Sequence, residues 1–158
     1  MTDEELYNIA NTARKNAYSP YSHVCVGAAI LTKKGSIYTG VNVENASFGA
    51  TICAERSAAV QAVGNGETEF EKIAIAVSGT NKSQSPCGIC RQFLAEFSKE
   101  LIVIYKKNGT LTAQKLSELL PESFGLWDTF RQANGKGGIL QNGIIAVRKM
   151  VSLWNGRF

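Results

Sequence analysis

Three cysteines and one glutamate are the residues of this chain best suited to metal chemistry. Cys53 and Glu55 stand in the sequence T-I-C-A-E-R, and Cys87 and Cys90 stand in S-P-C-G-I-C-R-Q. Three thiolates suit Zn²⁺, and a tetrahedral ion with three protein ligands keeps one position for water. Glu55, two residues after the first thiolate, can lie beside that water without binding the metal. The set predicts a hydrolytic zinc site in which Glu55 transfers protons.

Two helices are predicted to position these ligands. Cys53 opens a helix that runs to about Val63, and Cys87 opens another that continues to about Phe97. Cys87 and Cys90 are three residues apart, so their side chains share one helix face. The positive end of a helix dipole favours thiolates. Both metal motifs are therefore expected at helix N-termini.

The segments around these helices predict a mixed α/β sheet. A first helix is expected over Asp3–Ala17, with a capping box formed by Thr2 and Glu5. The strands Val24–Thr32 and Ile37–Val43 form an antiparallel hairpin. Later strands are predicted at 73–77 and 101–105, alternating with helices. This alternation favours helices on both faces of one sheet.

Charge near the metal is a second requirement of the predicted chemistry. A divalent ion with three thiolates has a net negative charge. The electron density that the thiolates donate to the metal lowers its ability to activate water. Arg56 is our first candidate to hydrogen-bond the thiolates and withdraw charge from them, and Arg91 is the second. An ordinary surface charge is the alternative for each arginine.

Asn42 and Glu44 form a polar pair at the end of the second predicted strand. Residues two apart on an extended chain point to the same side. An amide and a carboxylate aimed together can bind neighbouring hydroxyl groups. The residues alone leave this interpretation about even with an ordinary polar strand end, since exposed polar residues are common.

Length and composition are those of one globular domain. The chain has 158 residues, 44% of them hydrophobic, and a net charge of +4 without a long basic run. Neither a signal peptide nor a membrane-spanning stretch is recognisable, which predicts a cytoplasmic protein with reduced thiols. We expect one catalytic domain over residues 1–125. Residues 126–158 are expected to form a C-terminal extension of uncertain structure.

The pairing of C-A-E with P-C-x-x-C resembles the zinc-dependent nucleoside and nucleobase deaminases, whose signature has this form. Cysteine as the first ligand, followed by Glu55 and Arg56, resembles the small homotetrameric cytidine deaminases. Further matching segments are Y-S-P-Y-S, V-G-A-A, G-V-N-V-E-N-A, and E-L-L-P followed by F-G. The resemblance covers most of residues 1–125 and implies a three-layer α/β/α cytidine-deaminase-like fold with one Zn²⁺ per chain.

The resemblance also implies an activity and a set of site residues. The reaction would be hydrolytic deamination of cytidine and 2′-deoxycytidine in pyrimidine salvage, with Glu55 as the proton shuttle. The homotetramer would share active sites between subunits and would require neither nucleic acid nor membrane. The substrate-binding residues would be Asn42 and Glu44 on the sugar, Ala54 and Ser85 on the base through their backbones, Val24 beside the base, and Phe48 and Phe124 over a neighbour's substrate.

Val24 departs from the family pattern, because related enzymes usually have phenylalanine there. A smaller side chain opens space beside the base, which predicts tolerance of cytidines modified at N4 or C5. The alternative functions are those of a blasticidin-type drug deaminase, a polynucleotide cytosine deaminase, and a non-enzymatic zinc module. The predicted grip on the sugar 3′-hydroxyl argues against a polymer substrate, and Glu55 beside an open metal position argues against a structural zinc.

Overall fold

A five-stranded mixed sheet is the frame of the protein in this computed structural model, which describes residues 1–79 and 83–125. The strands are β1 (Val26–Thr32), β2 (Ile37–Val41), β3 (Phe70–Val77), β4 (Ile102–Lys107) and β5 (Thr110–Lys115). They lie in the order β2-β1-β3-β4-β5. The first two strands form the antiparallel hairpin predicted from the sequence.

The directions of the strands bring several loops to one edge of the sheet. Both β2 and β3 are antiparallel to β1, which lies between them, and β4 is parallel to β3. Consequently β2, β3 and β4 all end at the same edge, which we call the carboxyl edge. Because β1 runs the opposite way, it begins there.

Helices cover both faces of this sheet, as the predicted fold class requires. The helices are α1 (Asp3–Ala13), α2 (Ala54–Gly64), α3 (Gly88–Ala95) and the short α4 (Leu116–Leu119), with single 3₁₀ turns at Arg14–Asn16 and Phe48–Ala50. One core cluster joins α1 to the sheet through Leu6, Ala10, Ala29 and Ala74. A larger one joins α2 and α3 to the other face through Ala58, Ile75 and Leu94. The fold is therefore three-layered.

Two glycines allow the helices to lie against the strands at backbone distance. A Cβ built on Gly27 of β1 would lie 2.5 Å from the backbone nitrogen of Arg14, just beyond α1. A Cβ built on Gly40 of β2 would lie 2.5 Å from the carbonyl oxygen of Ala54 in α2. Any larger residue would displace these helices, so glycine fixes their distance from the sheet.

The element boundaries refine the sequence expectations. Thr2 and Glu5 form the predicted capping box, but the α-helix ends at Ala13 and continues only as a 3₁₀ turn. In β1 the ladder begins at Val26, because the backbone N–H groups of Val24 and Cys25 donate to the side chains of Ser22 and Ser78. Residues 126–158 lie outside the described residues, so the C-terminal extension stays a prediction.

Within residues 1–79 and 83–125, no helix combines the length and the apolar character needed to cross a bilayer.

Candidate active site

The three cysteines of the predicted metal site come together at the carboxyl edge of the sheet. Cys53 is the N-cap of α2 and Cys87 is the N-cap of α3. Cys90 follows within the first turn of α3 and is buried. Since α2 follows β2 and α3 follows β3, both helices begin at the edge where those strands end. The topology thus explains why sulfurs 34 residues apart in sequence become neighbours.

The geometry of this cysteine trio fits Zn²⁺. All three Sγ atoms lie within 4.8 Å of one another, and those of Cys53 and Cys87 are 3.9 Å apart. Zn–S bonds of about 2.3 Å at tetrahedral angles would separate the sulfurs by about 3.8 Å. Within the described chain, the trio has no fourth His, Cys, Asp or Glu ligand. Cys25 contacts the Ser19 hydroxyl instead, at 3.2 Å. The site therefore resembles a catalytic zinc site with one position open.

Arg56 lies beside this trio with its positive charge, and its role in withdrawing charge from the thiolates stays a prediction. One of its terminal nitrogens lies 3.9 Å from Cys53 Sγ and donates to the Thr51 carbonyl at 3.1 Å. Although burial opposes the charge, the sulfurs of Cys53 and Cys90 raise the pKa of Arg56. Hydrogen bonding from Cys90, together with Arg56, lowers the pKa of Cys53 to about 5, while the same contact with Cys53 and burial raise the pKa of Cys90. Cys53 is therefore more readily deprotonated than Cys90.

Glu55 is a buried carboxyl group beside the cysteines. Its residue is only 4% exposed, and it lies in the first turn of α2, two residues after Cys53. Burial is the main cause that raises the pKa of its carboxyl, with the charge of Cys53 acting in the same direction. A buried carboxyl with a raised pKa is suited to exchange protons near neutral pH. Its role as the proton shuttle stays a prediction.

A cavity of about 370 Å³ opens onto these groups. Small-molecule sites are roughly 300–1,000 Å³, so the cavity can hold a nucleoside-sized ligand. The predicted residues on its wall are Val24, Asn42, Cys53, Glu55, Ser85 and Cys87. Ser22, Val26, Thr51, Ile52, Ile75, Val77, Ser83 and Gln84 complete it. Two of the three cysteines, Glu55, and the substrate-binding candidates Val24, Asn42 and Ser85 therefore share one space.

Asn42 lies on this wall and is fastened to the start of β1. Its side-chain nitrogen donates to the Val24 carbonyl at 2.9 Å, and its side-chain oxygen accepts the Val26 N–H at 2.7 Å. The residue is 8% exposed. One side-chain N–H and one oxygen lone pair remain for another partner. Asn42 is thus held rigidly, with hydrogen-bonding capacity left for a ligand.

Glu44 is placed differently from its predicted partner. Its carboxylate accepts the backbone N–H groups of Tyr21 and Ser22 at 2.9 and 3.2 Å, and it also accepts the Ser22 hydroxyl. The Ser22 hydroxyl and these N–H groups lower the pKa of Glu44 against the opposing effect of partial burial. Glu44 is absent from the cavity lining described above, although Ser22 is part of it. In the single chain it therefore acts first as an anchor for the Tyr21–Ser22 turn.

The segment before Cys87 is held in place by Arg91. Its Nε donates to the Pro86 carbonyl at 2.8 Å, and its terminal nitrogens donate to the Leu119 carbonyl at 2.8 Å and the Ser85 hydroxyl at 3.2 Å. These contacts direct Arg91 to the backbone of the loop and of α4. Arg91 therefore positions Ser85. Of the two arginines considered for hydrogen bonding to the thiolates, Arg56 is the one that lies beside a cysteine sulfur.

Three further candidates differ in exposure. The Val24 residue is 41% exposed and lies on the cavity wall. Phe48 and Phe124 are 75% and 71% exposed, and neither lines the cavity of a single chain. The Phe48 ring packs edge-on against Tyr21, with 5.9 Å between ring centroids. Contiguous exposed apolar patches often mark interaction surfaces, whereas single exposed apolar side chains are common on protein surfaces.

Of the cavity-wall residues to which the sequence assigned no role, Gln84 and Ser22 make side-chain hydrogen bonds that shape the site. The backbone N–H of Gln84 donates to the Lys106 carbonyl at 2.9 Å, and its side chain reaches the Val77 backbone at 3.4 and 3.5 Å. Ser22 connects the wall to Glu44. Gln84 lies between β3 and α3 in a segment without a recognisable motif, so no local signal could identify it. Ser22 belongs to the matched segment Y-S-P-Y-S, which was the available signal.

Comparisons with known proteins agree with this geometry. The family described as "Cytidine and deoxycytidylate deaminase zinc-binding region" matches residues 1–106. A probable cytidine deaminase of Dictyostelium discoideum is 41% identical over 136 residues, which cover 84% of this chain and 92% of that protein. A blasticidin-S deaminase of Bacillus cereus is 33% identical over 126 residues, covering 75% and 89%. A crystal structure of cytidine deaminase from Burkholderia pseudomallei superposes with a TM-score of 0.74 at 41% identity, covering 78% of this chain and 100% of that chain.

Proposed function

The chain belongs to the cytidine and deoxycytidylate deaminase zinc-binding family, and from this premise we propose that it hydrolyses the 4-amino group of cytidine and 2′-deoxycytidine, yielding the uridines and ammonia. The observation that carries the proposal is the buried carboxyl of Glu55 beside a three-thiolate site, with both facing one cavity. A structural zinc site has no need of such a carboxyl. We place the reaction in pyrimidine salvage.

Glu55 has the central part in the proposed reaction. Zinc held by Cys53, Cys87 and Cys90 would supply a Lewis acid and make water nucleophilic near neutral pH. Glu55 would take one proton from the attacking water and deliver it to N3 of the pyrimidine. It would then take the remaining proton of that water from the new hydroxyl at C4 and deliver it to the departing amine, which leaves as ammonia. Burial in the cavity would keep bulk water away from these proton transfers. Arg56 would balance the negative charge of the thiolates.

Backbone groups at the helix start and the loop would orient the base. The N–H of Ala54 is in the first turn of α2, where N–H groups lack intrahelical partners, and is proposed to donate to O2. The carbonyl of Ser85 would accept the exocyclic amine, with Arg91 holding that residue. The hydrogen-bonding capacity that remains on the Asn42 side chain would bind the sugar. Glu44, which lies outside the cavity lining, would bind it as well. Because a 3′-hydroxyl is present in ribose and deoxyribose, such contacts would accept both nucleosides.

A homotetramer with shared sites would explain the exposed aromatic rings. Phe48 and Phe124 lie away from their own cavity, and Ile89, which is 66% exposed, follows the metal ligand Cys87. We propose that these apolar side chains pack against other copies of the chain and that the rings close neighbouring cavities. Light scattering with an activity assay across protein concentrations tests this assembly, and a fully active monomer would contradict it. The cytoplasmic location and the 1–125 domain boundary stay predictions.

A substrate panel tests the proposed activity directly. Zinc-loaded protein would be given cytidine, 2′-deoxycytidine, blasticidin S and a short single-stranded oligonucleotide, and ammonia release would be measured for each. We expect turnover of both nucleosides, with Glu55→Gln retaining zinc and losing about 10²- to 10⁴-fold in kcat. Preferred turnover of blasticidin S would favour the drug deaminase, whose relative is 33% identical. Preferred turnover of the oligonucleotide would favour the polynucleotide enzyme. Ammonia release from none would contradict all three.

Val24 supports a finer proposal, namely that cytidines enlarged at N4 or C5 are accepted. A phenylalanine at this wall position would fill space that valine leaves, and valine here is 41% exposed. About 40 Å² of apolar substrate surface buried in that space is worth roughly 1 kcal/mol, or about fivefold in kcat/KM.

The matched comparison uses Val43, which is also 41% exposed and lies outside the cavity lining. Each variant would be assayed on cytidine and on N4-methylcytidine. We expect Val24→Phe to lower the ratio of kcat/KM for the N4-substituted substrate to that for cytidine, and Val43→Phe to leave it unchanged. An unchanged ratio in Val24→Phe would show that this residue does not set substrate breadth.

A further inference from the structure

A second cavity lies at the carboxyl edge on the side of the sheet covered by α1. Its volume is about 340 Å³, within the range of small-molecule sites. It is lined by Tyr7, Asn11, Arg14, Val77, Gly79, Gln84 and Lys106. We call it the α1 cleft. None of the metal ligands, nor Glu55, contributes to it.

Among the residues that the structure describes, two cations and no carboxylate line the α1 cleft. Arg14 comes from the end of α1 and Lys106 from the end of β4. Within residues 1–79 and 83–125, neither side chain lies within 4.0 Å of a carboxylate. Two positive charges facing one cavity repel each other, and this repulsion is relieved when an anion binds between them.

Other donor groups on the wall point to the same class of ligand. Lys106 Nζ lies 5.1 Å from the Tyr7 ring centroid, a cation–π contact that keeps the ammonium at the cleft. Asn11 offers a side-chain amide and Tyr7 a hydroxyl, both of which can donate to an oxyanion. Arg14 is the C-cap of α1, where a cation complements the helix dipole. That role does not account for Lys106, which lies on a different element.

We propose that the α1 cleft binds a small phosphate-bearing anion. Guanidinium and ammonium groups on separate elements, with amide and hydroxyl donors between them, form the kind of charge-assisted set that holds phosphate oxygens. The ligand is either inorganic phosphate or the phosphate group of a small metabolite, since the cleft has room beyond a single phosphate.

The α1 cleft shares part of its wall with the active-site cavity. Val77 and Gln84 line both spaces. The backbone N–H of Gln84 donates to the Lys106 carbonyl at 2.9 Å, and Gln84 precedes Ser85, which is proposed to contact the base. An anion in the cleft therefore lies directly behind the loop that carries the proposed base-binding residue.

Isothermal titration with sodium phosphate at constant low ionic strength tests the proposal without any turnover. The probe variant is Arg14→Gln/Lys106→Gln, and the matched control is Lys15→Gln/Lys107→Gln. The control residues are the next neighbours on the same elements, are exposed, and change the net charge equally. We expect the probe variant to bind phosphate about ten- to a hundredfold more weakly and the control to bind like the wild type.

Three results would overturn the proposal. These are absence of measurable phosphate binding to the wild type, equal loss in the probe and control variants, and release of phosphate by saturating uridine, which would place the anion in the active-site cavity. Circular dichroism melting curves of each variant show whether a loss of binding is only a loss of folding. A Lys106→Arg variant, which keeps the charge, should retain binding even if the double variant is unstable. If well-folded Lys106→Arg and Lys106→Gln variants both lose phosphate binding, the positive charge of Lys106 does not hold the anion.

The source of the anion is decided in a second titration. A nucleoside 5′-monophosphate that displaces phosphate from the wild type and binds more tightly would identify a phosphorylated metabolite as the occupant. Binding of phosphate without such competition would identify the free ion. Both results support the cleft as an anion site and differ only in its ligand.

Discussion

Replacing Gly40 with alanine should push α2 away from the sheet, and α2 is the helix that presents Cys53 and Glu55. The new Cβ would lie 2.5 Å from the Ala54 carbonyl oxygen and 2.9 Å from Ala58 Cα, and closer still to the Ala58 nitrogen. Ordinary van der Waals contact begins at 3.4 Å, so the helix must move by about 0.9 Å or more. All three contacted atoms are backbone, so no rotamer change can relieve the clash.

The expected cost has a structural and a functional part. Overpacking a well-packed core typically costs about 1–3 kcal/mol, and a backbone clash belongs at the upper end. Natural domains have roughly 5–15 kcal/mol of stability, so the variant should remain folded at room temperature. A displacement of about 1 Å at a catalytic group can reduce activity about 10²-fold. We therefore expect lower zinc retention and lower kcat in protein that is still folded.

Gly27 provides the matched control on the opposite face. Its Cβ would lie 2.5 Å from the Arg14 nitrogen and 2.9 Å from Arg14 Cα, almost the same clash as at Gly40, but against α1. That helix carries none of the metal ligands and not Glu55. We expect Gly27→Ala to lower the free energy of unfolding by a similar amount while keeping zinc and most of the activity.

The assay compares both variants with the wild type in three measurements. Urea denaturation gives the free energy of unfolding, metal analysis after dialysis gives zinc per chain, and ammonia release from cytidine gives kcat. If Gly40→Ala and Gly27→Ala lose zinc and activity to the same extent, the effect is general destabilisation. The inference that Gly40 sets the position of the catalytic helix would then be wrong.

Three further predictions concern the site and its supports. Cys87→Ala should lose zinc and have a lower melting temperature, because metal-binding energy is also folding energy. Metal analysis of the variant with and without added zinc checks this prediction, and full zinc occupancy would contradict it. Arg91→Lys cannot make the three contacts of the guanidinium fork. We therefore expect the free energy of unfolding, measured by urea denaturation, to fall by about 1–3 kcal/mol. An unchanged midpoint would refute the positioning role of Arg91. The pKa of Glu44 is lowered in the folded state, so its stabilising effect is present above about pH 4.5 and is lost as pH falls further. The melting-temperature difference between wild type and Glu44→Ala should therefore shrink in acid, and a difference that grows there would contradict the Ser22 contact.

Local patterns were sufficient for the elements that carry the chemistry. The capping box at Thr2 and the shared face of Cys87 and Cys90 depend on a spacing of three residues, which helix geometry determines. Cys53 and Cys87 were each predicted to open a helix, and each is an N-cap. The hairpin followed from hydrophobic runs around a turn. The three-layer arrangement followed from the order of strands and helices.

Local sequence patterns could not predict the tertiary contacts. A spacing of two residues predicted that Asn42 and Glu44 act together, yet the Glu44 carboxylate is bound by a turn more than 20 residues earlier in the chain. Arg91 follows a metal ligand in sequence, but its partners include the Leu119 carbonyl, 28 residues away. The choice among alternative polar partners depends on which loops meet at the carboxyl edge, and only the folded chain determines that.

The direction of β1 has consequences for both cavities. Because β1 is antiparallel to β2 and β3, its first residues reach the edge where those strands end. Val24 and Val26 at that start therefore face the loops that carry Asn42 and Ser85, and Asn42 is bonded to both valines. On the other side of the sheet, the end of α1 reaches the same edge and brings Arg14 beside the end of β4. The same topology thus places a thiolate-lined cavity and a cation-lined cleft back to back, with Val77 and Gln84 between them. Because the two spaces share this wall, phosphate binding should be measured with and without a bound nucleoside, and the assignment of the anion to the cleft requires that the nucleoside leave phosphate bound.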